Sequence, residues 1–508
     1  MNFIIYIRER QLKHWQYSHF INILKSVQIF EDSDDTMKTK RIAIAGAGVA
    51  GISIVKFFVN DKRFNENLSI DIYDAPETLG RGYAYRHDNE NLIINLPVEE
   101  MSLTSDPDDF KKWLENSEHE AANFTSRRVY GEYMHNSLMS LVAEHSNINI
   151  IKNYADKIMF NEDKNTYTLC AGENEQDYDA VFLMTGELSY SDPYNLKGYG
   201  NYFYNPYPIE ENLNNLEGKI GIIGSGLSAI DVFRYLLING QDRVYVLSRS
   251  GEMPAVRGTH FDIKPECLTL DAALEYETDG LIPLDTLLEL FKKEMAAQGL
   301  AMSLFERKTD HPEIDLKYDL EHLDSVGKLQ YLIISLEDTF KTLFKYLSRS
   351  DKRKFLQDYH PYVDSNHSPM PPHGAEQILS WVDEGKLVFI HGMESVSTED
   401  KFTAVFENGE SEDFDILINA TGPVKNIEKD NTELIQNMYD ALLIEADEFG
   451  GVLLSKNHEV ISPRFGTLNN FYTMGALSAG SDYLIRGVGM LSAKTEELVN
   501  HFYDTNRE

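Results

Sequence analysis

The stretch RIAIAGAGVAGISIVKFF, residues 41–58, decides the fold. Ile42, Ala43, Ile44 and Ala45 form a short apolar run of the kind buried in a parallel sheet. Gly46, Gly48 and Gly51 follow in G-x-G-x-x-G spacing, and an apolar helical pattern then runs through Ile54, Val55 and Phe58. The first glycine turns the strand into the helix, the second lets a pyrophosphate approach the backbone, and the third lets helix and strand pack closely. The helix start then offers unpaired N–H groups and partial positive charge to an anion. The next strand, LSIDIYDA, ends at Asp74, 74 − 51 = 23 residues past the third glycine. A carboxylate there is placed to bond ribose hydroxyls.

The pattern recurs at KIGIIGSGLSAIDVFRYL, residues 219–236, with Gly224 and Gly226 and with Ala229 in the third position. Its following strand, DRVYVLSRS, ends in Ser248 and Arg249 rather than in a carboxylate. A hydroxyl and a guanidinium suit a 2′-phosphate, which a carboxylate would repel, so the second copy reads as an NADP site. Two more apolar strands, YDAVFLMTGE (178–187) and FDILINATGP (414–423), end in Thr185–Gly186 and Thr421–Gly422. A glycine there lets the chain turn close to a dinucleotide. Residues 470–499 read as a strand, a glycine-rich turn and a closing helix.

The 508-residue chain is long enough for two or three domains, and its composition is that of a globular protein. A formal net charge of −35 disfavours nucleic-acid partners. Only two cysteines are present, Cys170 and Cys267, which argues against a disulfide framework, a zinc ribbon and a C-x-x-C redox pair. No apolar run approaches the roughly 20 residues that span a bilayer, and the short apolar run near the start is interrupted by Arg8 and Arg10. These features predict a cytoplasmic protein with no membrane partner. Residues 1–36, ending in the acidic EDSDDT, read as a disordered extension or a mis-assigned start, with a short interaction helix as the alternative.

With these motifs in order, the chain resembles the FAD-NAD(P)-binding family of flavoproteins with two dinucleotide-binding domains. That architecture includes glutathione-reductase-like enzymes and flavin monooxygenases. A narrower likeness lies in GRGYAYRHDNENLIINLPVEEMSLTSDPDDFKKWL (80–114) and SRRVYGEY (126–133). The resemblance implies an α/β fold of two Rossmann-like domains, the NADPH domain inserted in the FAD domain. Residues 252–360 depart from the repeat, show helical periodicity with few strand signals, and read as a helical insertion in the NADPH domain. The resemblance assigns Gly46, Gly48, Gly51 and Asp74 to FAD and Gly224, Gly226, Ser228 and Arg249 to NADPH. It also brings Asn95, Met101, Gly475, Gly487 and Val488 to the flavin. Ordinary core packing is the alternative for Leu92–Leu96, although Asn95 and Pro97 fit a plain central strand poorly. The expected divisions are 37–215 and 411–508 for FAD, 216–251 and 361–410 for NADPH, and 252–360 for the helical insertion.

The missing C-x-x-C rules out a disulfide-reductase relay, so electrons leave the flavin for oxygen, a substrate or another acceptor. The resemblance implies a monooxygenase acting on a small molecule, with molecular oxygen as co-substrate. The F-x-G-x-x-x-H element of many such enzymes is incomplete, because GYGNYFYNPYPIEENL (198–213) holds no histidine. A dehydrogenase or oxidase without oxygen insertion, and a non-enzymatic flavin sensor, stay open as alternatives. His360, His367 and His373, in a Pro-rich region read as a turn before a helix, are candidate proton carriers; solvated loop histidines are the alternative. Their spacing fits no metal motif, and no metal is expected. The sequence leaves the oligomeric state open.

Overall fold

The two glycine-turn repeats each found a sheet whose core strands are parallel. The computed structural model describes residues 40–119, 123–483 and 487–506, and the stretch 1–36 lies outside them. β1 (Lys40–Ala45) leads through Gly46–Gly48 into α1 (Val49–Asn60) and on to β2 (Leu68–Tyr73). After α2 (Arg127–Glu144), β3 (Ala180–Leu183) returns beside β1 in parallel register, Ile42 opposite Ala180. β4 (Ile220–Ile223), α3 (Leu227–Ile238) and β5 (Val244–Leu247) then repeat the unit in a second sheet. A long run of helices, including α4 (Pro312–Glu321), separates β5 from β6 (Leu387–Ile390). β7 (Ile416–Asn419) completes the second core, and β8 (Gly466–Thr473) and α5 (Val488–Thr505) return the chain to the first.

The first sheet has the order Glu459–Ser462, β8, β3, β1, β2, Ile148–Ile151, and the second β6, β5, β4, β7, Tyr202–Phe203. β3, β4 and β7 are buried at all four positions, as strands covered on both faces must be. The first core is closed when α5 packs along α1, with the Phe58 ring 5.5 Å from both Phe182 and Phe502, edge to face. This is the mixed α/β architecture with two main sheets that the repeats predicted, with the added helices expected from the periodicity of 252–360.

Two expected divisions shift. The second FAD segment is expected from 411 on, but β7 pairs with β4, Ile416 opposite Ile220, so it belongs to the second sheet. Ser411–Phe414 pairs with Phe402–Phe406 in a small antiparallel sheet ahead of it. A four-residue apolar strand does not encode which of two parallel sheets it joins. The helical run also extends past 360 through a further helix, His360–His367. His360 and His367 therefore stand on a helix and not in a turn, and His373 lies in the first turn of the next one, Pro372–Asp383.

Candidate functional site

Both glycine turns are tied down the same way. Gly46 N–H donates to Tyr73 O at 2.9 Å and Gly224 N–H to Leu247 O at 2.8 Å. Met184 N–H reaches Ala45 O at 2.7 Å, and Ala420 N–H reaches Ile223 O at 2.8 Å. Each turn thus sits against the strand that ends in Thr-Gly. Gly46 has φ +105°, and a Cβ on it would stand 2.2 Å from Met184 O; a Cβ on Gly51 would stand 2.0 Å from Gly46 O. At Gly224, with φ +110°, a Cβ would stand 2.7 Å from Ala420 O. These three glycines clear the protein's own backbone.

Other glycines open into space. A Cβ on Gly226, Gly186 or Gly422 would meet nothing within 4 Å. The second glycine of the second turn and both Thr-Gly corners therefore leave room beside the backbone, which is what a dinucleotide approaching along the chain requires. Ala229, fully buried, fills the third motif position of the second turn. The first turn is more enclosed: the GRG segment lies over it, with the Cβ position of Gly48 3.5 Å from Gly82 Cα.

Asp74 is only 3% exposed. Its Oδ2 accepts from Ala47 N–H at 2.8 Å, and its Oδ1 accepts from Ala75 N–H at 2.9 Å and Thr78 Oγ1 at 2.5 Å. Burial raises its pKa, and the hydrogen bonds from Thr78, Ala47 and Ala75 oppose that rise. Asp74 braces the first glycine turn, and Oδ2 keeps acceptor capacity for a further donor such as a ribose hydroxyl.

In the second unit, Ser228 hydrogen-bonds with Tyr190, whose phenol is pushed up to about 12, chiefly by burial. Ser248 Oγ accepts from Gly251 N–H at 3.0 Å and so shapes the turn after β5. Arg249 is exposed there and makes no ion pair among the described residues. The two chain crossings between the units are zipped together: Ser191 N–H to Gly422 O at 2.9 Å, Val424 N–H to Ser189 O at 2.8 Å, and Ser191 Oγ to Thr421 Oγ1 at 2.6 Å. A largely buried ion pair, Arg127 to Asp231 at 2.7 Å, joins α2 to α3, and Tyr207 donates to the same Asp231 oxygen at 2.6 Å.

The remaining expected residues divide. Asn95 is engaged through its backbone oxygen, which accepts from Arg257 Nη2 at 2.8 Å. Met101, 1% exposed, packs in the first core. Gly475 takes φ +73° after β8, and Gly487 caps α5, whose first residue is Val488. Charged residues that the sequence reading missed gather near that helix start. Arg257 Nε is buried without a hydrogen-bond partner among the described residues. The Glu100 pKa is raised by burial and held back by Arg257 and His260. Lys341 pairs with Glu337 at 2.6 Å and lies 2.9 Å from Met490 Sδ on α5, while His367 stands 3.5 Å from Glu337. His360 Nδ1 is 3.1 Å from the Tyr483 hydroxyl, and His373 is exposed. Arg86, in the GRGYAYR segment, has Nε and Nη2 buried and unpartnered among the described residues. An arginine inside a glycine-rich segment was the signal that could have found it.

Residues 43–188 match the family model described as FAD-NAD(P)-binding. Among solved structures, the chain is similar to the reduced form of ornithine hydroxylase from Pseudomonas aeruginosa, at 13% identity and TM-score 0.57, covering 92% of this chain and 100% of that one. It is also similar to the ornithine N-hydroxylase of Kutzneria sp. 744, at 12% identity and TM-score 0.55, with 92% and 100% covered. A third is the FAD-bound cadaverine monooxygenase of Erwinia amylovora, at 13% identity and TM-score 0.52, with 92% and 94% covered. At these identities the likeness is one of fold alone. No curated protein matches the sequence. No helix among the described residues is long and apolar enough to cross a membrane.

Proposed function

We propose that the protein is an FAD-dependent, NADPH-using monooxygenase that oxygenates a small molecule. The observation that carries this reading is the doubled turn: two glycine turns of one construction, each backed by a Thr-Gly strand, on sheets joined by a zipped pair of crossings. Gly46–Gly51 with Asp74 would hold the adenosine half of FAD, and the α5 start at Gly487–Val488 would face the flavin. Gly226 and Ser228 would receive the NADPH pyrophosphate, while Ser248 and Arg249 take the 2′-phosphate. Bound flavin would supply hydride acceptance and oxygen activation.

This chain's own residues then orient, exclude water and place charge. The Arg127–Asp231 pair holds the two units in register, so that the openings at Gly186 and Gly422 belong to one assembly. The charged group near the α5 start, Glu100, Arg257 and Lys341, would contact the substrate. Cys170 and Cys267 are both free, and Cys170 is buried with its thiol pKa raised mainly by burial, so the chain has no thiol relay for a disulfide substrate.

The test is anaerobic mixing of the purified protein with NADPH or NADH, then air and candidate small molecules. Flavin bleaching by NADPH in preference to NADH, followed by oxygen incorporation into product, is the expected result. Bleaching followed only by peroxide release whatever the substrate would favour the oxidase reading, for which the missing histidine in 198–213 speaks. A protein that cannot be loaded with FAD would overturn both.

A further inference from the structure

We propose that Asp310, His311 and His391 bind a borderline divalent cation of the Zn²⁺ type. One ligand atom from each lies within 4.8 Å of the others. His311 Nε2 is 3.5 Å from Asp310 Oδ1, His391 Nδ1 is 3.7 Å from Asp310 Oδ2, and the imidazole rings stand 5.4 Å apart. These separations are too long for good hydrogen bonds. They are close to the roughly 3.4 Å between neighbouring ligands of a tetrahedral metal with bonds of about 2.0–2.1 Å. The cluster therefore converges without bonding to itself. All three side chains are about half exposed, at 55%, 51% and 44%, so rotamer changes suffice to close the wider gap. Glu313 Oε1 stands 3.5 Å from His311 Nδ1, the ring nitrogen turned away from Asp310, where a carboxylate orients the imidazole as an outer partner, and Glu407 lines the same cavity of about 460 Å³.

The ligands stand on firm backbone drawn from distant parts of the chain. Asp310 and His311 precede α4, which is anchored by the buried Arg307–Asp319 pair at 2.6 Å and by Val256 N–H donating to Asp319 at 2.9 Å. His391 follows β6, and its neighbour Gly392 donates to Arg249 O at 3.1 Å. Gly251, with φ +73°, lies so close to Asp310 that a Cβ would stand 2.1 Å from its carbonyl oxygen. Three segments, 249–251, 310–311 and 391–392, thus meet at one point. Two imidazoles with carboxylates suit Zn²⁺, Co²⁺, Fe²⁺ or Mn²⁺. Three carboxylates around one cavity speak against a phosphate there. The site would clamp the α4 start to the turn after β6, and cation binding itself does not depend on the NADPH reading.

The experiment uses tag-free, chelator-treated full-length protein titrated with Co²⁺ as a visible probe and with Zn²⁺ by calorimetry. Stoichiometric Co²⁺ uptake with ligand-field absorption, displaced by Zn²⁺, is expected. H311A and H391A should each weaken binding by at least about 10-fold, the range lost even when an outer partner of a metal ligand is removed. Both residues are half exposed, so the melting temperature and flavin content of the metal-free variants should match the parent. Absent uptake, or equal uptake by the H311A/H391A double variant, would overturn the site. So would a parent protein that takes up no Co²⁺ while H391A loses NADPH affinity, which would assign the imidazoles to phosphate instead.

Discussion

Glycines of identical spacing serve different ends, and substitution separates them. Gly46→Ala forces a side chain into φ +105° and against Met184 O. It should destabilise the first unit by several kcal/mol, on the scale of a strained, overpacked core position of about 3 kcal/mol. The expected protein has a lower melting temperature and little bound flavin. Gly226→Ala sits at φ −81°, ordinary for any residue, and its methyl meets open space. Melting temperature and flavin content should hold, while the rate of flavin reduction by NADPH falls by about 100-fold, as displacement of a bound group by an ångström commonly does. Normal reduction in that variant would remove the pyrophosphate from Gly226. Arg249→Ala should raise KM for NADPH by about 10- to 100-fold, the worth of a charge-assisted contact, and leave KM for NADH unchanged. The turns themselves were legible, because a strand, G-x-G and an apolar helix demand one geometry. The spacing also assigned the open approach to the second glycine, as at Gly226, but not that Gly82 would enclose Gly48, because the GRG segment lies outside the motif.

Between elements, the contacts that set the site come from residues with no local signature. Arg127 and Asp231 lie 231 − 127 = 104 residues apart and look like ordinary helix charges in the sequence. In the fold they form a largely buried pair with Tyr207, between α2 and α3. Asp231→Ala leaves the Arg127 guanidinium without its partner and should cost about 3–5 kcal/mol. It should lower the melting temperature and, by loosening the register of the two units, slow flavin reduction. Replacing both, as Arg127→Met with Asp231→Leu, should restore most of the stability but not the rate. Equal melting temperatures for parent and Asp231→Ala would show that the pair is solvated rather than structural. The same lack of local signature explains the shifted divisions. β7 carries an apolar run that fits either sheet, and the histidines of 360–367 stand on a helix because Pro361 occupies a first-turn position that tolerates it. The Asp310–His391 cluster was invisible for a like reason: its histidines lie 391 − 311 = 80 residues apart and meet only through tertiary packing.

Over the whole molecule, composition disclosed the sign of the electrostatic field but not its local exceptions. A net charge of −35 repels a polyanion such as NADPH at long range, whereas the exposed Arg249 attracts it at short range. Salt separates the two. The Debye length falls from about 30 Å at 0.01 M to about 8 Å at 0.15 M, which screens the distant carboxylates more completely than a guanidinium within contact distance. The association rate of NADPH, followed anaerobically by stopped-flow absorbance of the flavin, should therefore rise by roughly 3- to 10-fold over that range. A basic site on a neutral protein would show the opposite slope. In Arg249→Ala the absolute rate should be lower and the rise steeper, because only the repulsion is left to screen. A rate that falls with salt in the parent would mean that positive charge local to the second glycine turn outweighs the field of the whole chain, and Arg86 and Arg257, whose guanidinium groups have buried nitrogens without a hydrogen-bond partner among the described residues, would be its first candidate sources.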